Sequence, residues 1–170
     1  MHTHDDSKLC NSASPDGDSR WLTLPDEAAT LALGAEIARG LRAGITVYLQ
    51  GDLGAGKTTL VRGMLRALGH AGRVKSPTYT LAEIYNLPAF ELYHFDLYRM
   101  NDPREWMDAG FREVVNGTTV NLVEWPEKAA GLLPPPDLRM LLQVRDDGRE
   151  IALVAETALG KECLNQMCAK

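Results

Sequence analysis

Cysteine is scarce. Only Cys10, Cys163 and Cys168 occur in 170 residues, and no C-x-x-C pair is among them. An odd, scattered set makes neither a disulfide framework nor a zinc site, and it fits a reducing compartment. No apolar run approaches the ~18 residues that a membrane span requires, so no membrane partner is expected. The first residues, Met1 to Asp6, carry neither a basic stretch nor an apolar one. No secretory signal is therefore expected, and the expected location is the cytoplasm. Basic charge is also short: 18 Lys and Arg stand against 23 Asp and Glu, a net −5. That excludes coating DNA or RNA by bulk charge, although a local basic patch stays open. What is present in quantity is ordinary for a folded domain, with 45% hydrophobic and 24% charged residues. A chain of this length buries roughly two-thirds of its unfolded surface and needs no covalent staple.

Residues 1–20 are rich in Ser, Asp, Asn, Gly and Pro. They offer too little apolar surface to offset their ordering entropy, so a disordered extension is expected there, followed by one domain over 21–170. Trp21 to Leu24 reads as a short strand. Pro25 suits a first helical position with Asp26 and Glu27 behind it, and Ala28, Leu31, Ala35, Ala38 and Leu41 recur at helical spacing up to Gly40 and Gly44. Ile45 to Leu49 has the β-rich character of a buried parallel strand, and a second helix is expected over 57–68. Tyr79 to Tyr85 and Phe90 to Phe95 read as strands, 103–116 as partly helical, and Val120 to Trp125 as a buried strand. The end of the chain predicts a hairpin around Asp146-Asp147-Gly148 and a helix over 158–168. Strands interleaved with helices predict an α/β sandwich with a mixed sheet.

Between the expected second strand and second helix stands Gly51-Asp52-Leu53-Gly54-Ala55-Gly56-Lys57-Thr58, which fits G-x-x-x-x-G-K-[ST] without deviation. Glycines let the backbone approach an anion closely enough for its N–H groups to wrap it, and the start of the following helix adds a positive field. Lys57 is a point charge for β- and γ-phosphates, Thr58 offers a hydroxyl to Mg²⁺, and Thr59 stands within reach of an α-phosphate. No N-K-x-D occurs, so the usual guanine-reading element is missing and ATP is favoured.

Hydrolysis needs acids as well as a cradle. Asp96 closes the run Leu92 to Phe95, and Glu124 closes Val120 to Val123. Ligands gather at the carboxyl ends of strands in a doubly wound sheet, where these two acids would emerge, although an acid at a strand end is also simply solvated in many proteins. His94 reads as a packed or hydrogen-bonded strand histidine. Tyr98 and Arg99 either reach phosphate or anchor a loop. Ser76 to Leu81, dense in hydroxyls, is either a switch segment sensitive to γ-phosphate or a proline turn feeding a strand. Arg62, Arg66, Arg73 and Lys75 form a modest basic face.

Taken together, Gly-Asp-Leu-Gly-Ala-Gly-Lys-Thr-Thr at 51–59, Ser-Pro-Thr-Tyr-Thr-Leu at 76–81, His-Phe-Asp-Leu-Tyr-Arg at 94–99 and Val-Glu-Trp at 123–125 resemble the TsaE family. That family supplies the ATPase component of bacterial tRNA threonylcarbamoyladenosine biosynthesis. The resemblance runs from about Leu22 to Gly160. It implies an α/β, P-loop NTPase-like three-layer sandwich with a mixed, largely parallel central sheet. It further implies ATP and Mg²⁺ as cofactors, TsaD and TsaB as partners, and contact with tRNA only through that complex, with no DNA involved. Carried onto matching positions, it implies that Lys57 contacts phosphate, that Thr58 and Glu124 hold Mg²⁺, and that Asp96 is a second acid required for hydrolysis, also near the metal. Ser76 to Thr80 become the switch-like loop and Trp125 a neighbour of the nucleotide, with Glu27 at the edge of its pocket beside the loop residues 52–59. Two other readings are a small-molecule kinase and a nucleotide sensor that does not hydrolyse. A kinase would need an arginine-rich lid, and after the loop only Arg99, Arg104 and Arg112 come into question.

Overall fold

The computed structural model describes residues 19–77, 80–115 and 117–167. The disorder expected for residues 1–18, and the expectations for Thr78, Tyr79, Asn116 and Cys168, lie outside them.

Seven strands form one sheet in the order β1-β7-β6-β2-β5-β4-β3. They are β1 (Ser19–Leu24), β2 (Thr46–Gln50), β3 (Ala82–Asn86), β4 (Glu91–Asp96), β5 (Val120–Glu124), β6 (Leu138–Arg145) and β7 (Gly148–Ala155). The central four, β6-β2-β5-β4, run parallel, and each edge is closed by antiparallel partners: β7 and β1 on one side, β3 on the other. Parallel pairing is thus confined to the centre, where strands are covered on both faces and read as apolar runs. All five residues of β5 are buried.

Helices α1 (Glu27–Ala38), α2 (Lys57–Ala67) and α5 (Ala158–Met167) belong to the core that covers one face, with Leu33, Ile37, Leu60, Val61 and Met64 buried beside Val47, Leu49 and Leu122. The opposite face is smaller and aromatic. There α3 (Arg104–Asp108), α4 (Phe111–Val114) and a 3₁₀ turn at Pro126–Ala129 bring Trp106 and Ala129 onto Phe95 and Val123. Phe95 meets the rings of Trp106 and Phe111 edge-on, each at 4.9 Å between centroids.

Four local expectations are corrected. Pro25 is not the first helical residue: Asp26 is extended (φ −152°) and its carboxylate accepts the Ala29 N–H at 2.8 Å, so an aspartate cap outcompetes the proline start. β1 begins at Ser19, ahead of the boundary expected at Trp21, because Ser19 and Arg20 still find partners in Val154 and Leu153. β3 begins only at Ala82, since Leu81 sits in the left-handed region (φ 63°) and cannot continue a strand. α1 ends at Ala38, short of the Leu41 its periodicity reached; the other elements lie within a residue or two of expectation, including the hairpin, whose turn is Asp146-Asp147 between paired Arg145 and Gly148.

The placement of α2 depends on how closely α1 approaches it. A Cβ on Gly63 would stand 2.4 Å from the Leu31 carbonyl oxygen, and one on Gly34 would stand 2.4 Å from that of Leu60. Ala in a helix interior is favoured over Gly by ~1 kcal/mol, but overpacking costs ~1–3 kcal/mol. With backbone rather than a flexible side chain in the way, the clash wins. Gly63→Ala is expected to lower the urea midpoint; a midpoint that rises would show that the helices separate freely.

Candidate functional site

Strand β2 delivers the chain to the loop at Gly51. Gly54 and Gly56 take left-handed conformations (φ 77° and 106°), and Gly56 is the N-cap of α2 with no side-chain cap on the helix. The first N–H groups of α2 therefore have no side-chain acceptor, which is the local requirement for an anion site.

Lys57 is 5% exposed. Its ammonium donates to the carbonyl oxygens of Gly51 and, at 3.0 Å, of Asp52, and it lies 4.2 Å from the centroid of the Trp125 ring. Burial pushes its pKa below the ordinary 10.5, and the nearby carboxylates of Glu124, Asp96, Glu127 and Asp52 oppose that shift without cancelling it.

The two acids stand side by side. Parallel pairing of β4 with β5 sets Asp96 opposite Glu124 at the carboxyl ends of both strands, and both are buried. Glu124 Oε2 lies 2.5 Å from His94 Nε2, and Thr58 Oγ1 donates to the same oxygen at 3.5 Å. His94 is fully buried, and its Nδ1 has no partner among the described residues. An orphaned lone pair costs less than an orphaned N–H. We therefore assign the Nε2–H tautomer, with His94 donating to Glu124 Oε2. Asp96 accepts the Ser76 hydroxyl on Oδ2 and the Tyr98 N–H on Oδ1 at 3.0 Å.

Among the described residues two non-glycines have positive φ, Trp125 at 58° and Leu81 at 63°, and both adjoin these acids. Trp125 follows Glu124 directly; Leu81 accepts the Asp96 N–H at 2.9 Å. Such conformations cost on the order of 1–3 kcal/mol each for bulky residues and persist only where the surroundings enforce them. Here the Trp125 ring is turned over Lys57 and toward Tyr98, 5.0 Å away.

A cleft of about 300 Å³ is the common boundary of these groups. Leu53 to Thr59 form its floor, Ser76, Asp96 and Tyr98 one wall, Glu124 and Trp125 another, and Arg149 the rim. Among the residues anticipated from sequence, Asp52 contributes through its carbonyl oxygen rather than by lining the cleft. Glu27 lies elsewhere, on the first turn of α1, where it is 3.8 Å from Arg62 of α2. Sequence reasoning did not find Arg149. It belongs to the terminal hairpin, 95 residues from the loop carbonyl it touches, and nothing local in Asp-Asp-Gly-Arg-Glu marks it.

Chemically, the cleft offers unspent N–H groups and one ammonium for phosphate. A hydroxyl and two carboxylates are available for a hard cation. Among the described residues no group of three or more His, Cys, Asp or Glu could hold a metal by itself. The donor set suits Mg²⁺, which is commonly bound by one or two carboxylates together with substrate phosphates. No described helix is long and apolar enough to cross a membrane.

Comparison with known proteins identifies relatives of the chain. Residues 24–166 match the family model "Threonylcarbamoyl adenosine biosynthesis protein TsaE". The chain is 48% identical over 147 residues to the tRNA threonylcarbamoyladenosine biosynthesis protein TsaE of Haemophilus influenzae, covering 84% of this chain and 93% of that one. It is 39% identical over 137 residues to the Bacillus subtilis protein of the same name, covering 80% and 85%. The crystal structure of YdiB from Bacillus subtilis superposes with a TM-score of 0.75 at 30% identity, over 88% of this chain and 93% of that one.

Two expectations follow from the site. His94→Leu leaves a buried carboxylate short of a donor, so stability should fall by roughly 1–3 kcal/mol in denaturant unfolding, while His94→Gln, which restores an N–H, should recover part of it. Equal stability of the leucine variant and the wild type would remove the Glu124 contact from the account. Second, phosphate favours the charged form of Lys57. Phosphate-ligand affinity should therefore fall as pH rises, beginning below the ordinary lysine value of 10.5 because burial has lowered it. Over the same interval the unfolded chain binds more protons than the native one, so ligand-free stability should rise with pH from this group. Calorimetric affinities constant up to pH 10.5 would contradict the lowered pKa.

Proposed function

The chain belongs to the TsaE family, and from that premise we propose that it binds and hydrolyses Mg·ATP in tRNA threonylcarbamoyladenosine biosynthesis, acting in the cytoplasm on a TsaD–TsaB complex to drive its catalytic cycle. The observation that carries the reading is the convergence of Lys57, Thr58, Asp96 and Glu124 on one cleft at the carboxyl ends of β2, β4 and β5. Contact with tRNA is made through the partner complex; DNA and membranes play no part.

In this reading the loop and the α2 N-terminus bind the phosphates, and Lys57 exchanges its carbonyl partners for phosphate oxygens. Thr58 and Glu124 would hold the metal, whose charge would stabilise the phosphoryl group during transfer. Asp96, restrained by Ser76 and Tyr98, is placed to orient or accept a proton from water. Ser76 through its hydroxyl and Leu81 through its carbonyl oxygen both touch Asp96, so both would sense a change in the phosphates beside that acid.

Two substitutions separate binding from turnover. Glu124→Ala should lower ATP turnover by about 100-fold or more, in the presence of TsaD–TsaB as well as alone. Asp96→Ala should depress turnover far more than it weakens Mg·ATP binding. Release of phosphate from labelled ATP, measured with purified TsaD–TsaB and separately with a nucleoside panel, checks turnover, and calorimetric titration of Mg·ATP checks binding. Wild-type turnover in Glu124→Ala would remove that residue from the mechanism. A phosphorylated nucleoside would replace the ATPase reading with a kinase.

A further inference from the structure

The two oxygens of Glu124 have unequal surroundings. Oε2 meets His94 Nε2 at 2.5 Å and accepts the Thr58 hydroxyl at 3.5 Å. Oε1 has no hydrogen bond to a described residue, yet it is not among the buried polar atoms left without a partner. It therefore opens on the cleft that Glu124 lines. One oxygen of this carboxylate is occupied by the protein and the other is available.

His94 holds its oxygen from a fixed place. It stands two residues before Asp96 on β4, opposite Leu122, and so lies diagonal to Glu124 on the face of the sheet that α2 covers. β4 is paired on both sides, by β5 and β3, and the ring is fully buried. It does not line the cleft, so it is no candidate to touch nucleotide. Nor can it follow the carboxylate if that group turns. Rotating Glu124 to offer both oxygens to one cation would strip the Nε2–H of its acceptor in a place without water, which is strongly unfavourable. Thr58 restrains Glu124 in the same sense, since its proton goes to Oε2 while its own lone pairs stay free.

The restraint bears on which cation fits. Mg²⁺ demands near-octahedral geometry and keeps several waters, which a single carboxylate oxygen suits. Ca²⁺ gathers about six to eight oxygens in flexible geometry and accepts one carboxylate through both. We propose that His94 is a positioning residue that limits Glu124 to one metal-facing oxygen, Oε1, and so makes the site favour Mg²⁺ over Ca²⁺. This rests on the Mg·ATP reading of the cleft.

The competing role is a structural one, in which His94 merely satisfies a buried acid. Losing such a residue would weaken binding with either cation alike. Affinities of the full chain for ADP are measured by calorimetry in Mg²⁺ and in Ca²⁺, for wild type, His94→Leu and His94→Gln, with thermal unfolding as the check on folding. Wild type is expected to bind ADP more tightly with Mg²⁺. His94→Leu should move the ratio of the two affinities toward Ca²⁺ by about tenfold, and His94→Gln, which keeps an N–H, should bring it back toward wild type. An unchanged ratio in His94→Leu, including equal losses with both cations, overturns the proposal. So does a ratio shifted as far by glutamine as by leucine, because the donor would then not be the cause.

A second measurement needs no variant. In crystals of wild type grown with ADP and Ca²⁺, Oε2 is expected to remain on His94 with Oε1 on the cation. Glu124 bound through both oxygens, through Oε2, or only through water would overturn the assignment even if His94→Leu does not fold. If ADP binding by wild type is indifferent to both cations, the Mg·ATP reading fails first. If binding depends on the cation but the ratio ignores His94, only the role of His94 is lost.

Discussion

Lys57 keeps an ammonium group almost out of water, and the surroundings of the site are arranged around that fact. Two loop carbonyls accept its protons, the face of Trp125 covers it, and the carboxylates of Asp96 and Glu124 stand close enough to support its charge. Burial still outweighs these, as its lowered pKa records. A buried cation held by weak, exchangeable partners is poised to take better ones. In the proposed function these are phosphate oxygens.

Holding that ammonium requires strain elsewhere, and the sheet absorbs it. Trp125 covers Lys57 only because the chain turns left-handed immediately after Glu124, and Leu81 does likewise where its carbonyl receives the Asp96 N–H. Both strained residues follow or touch central strands whose side chains are buried on two faces, so the backbone has nowhere to relax. The same rigidity serves the acids. Asp96 and Glu124 share a register position on parallel neighbours, and His94, two residues before Asp96 on β4, fixes one oxygen of Glu124. On the other face the close passage of α1 over Gly63 fixes α2, and with it the helix end to which the loop is joined.

Much of this was legible in the sequence because it is local. A nine-residue loop with fixed glycines, a strand ending in an acid, and an Asp-Asp-Gly turn each encode their own backbone. Lys57, Thr58, Asp96 and Glu124 were read that way, Trp125 only through the resemblance, and all five line one cleft. What failed to show depends on pairings between distant segments. Glu27 was carried to the pocket edge only by the resemblance, yet α1 places it beside Arg62. Arg149 is brought to the loop only by the pairing of β6 with β2 and β7, which no residue near it announces. The strand expected from Tyr79 starts late because of a left-handed Leu81, a conformation that propensity assigns to glycine or asparagine rather than to leucine. The sheet's parallel centre followed from apolar runs and the β6–β7 hairpin from its turn, whereas the pairing of β1 with β7 required knowing which strands remain at the rim.

The most direct test of the account removes the ammonium while keeping its bulk. Mg·ATP titrated into full-length wild-type protein and into Lys57→Met, side by side in a calorimeter, should give saturable one-site binding for the first. For the second, affinity should be reduced by at least about 100-fold, in line with the loss of a buried charged donor. Indistinguishable isotherms from two well-folded samples would contradict the claim that this single buried cation organises the site.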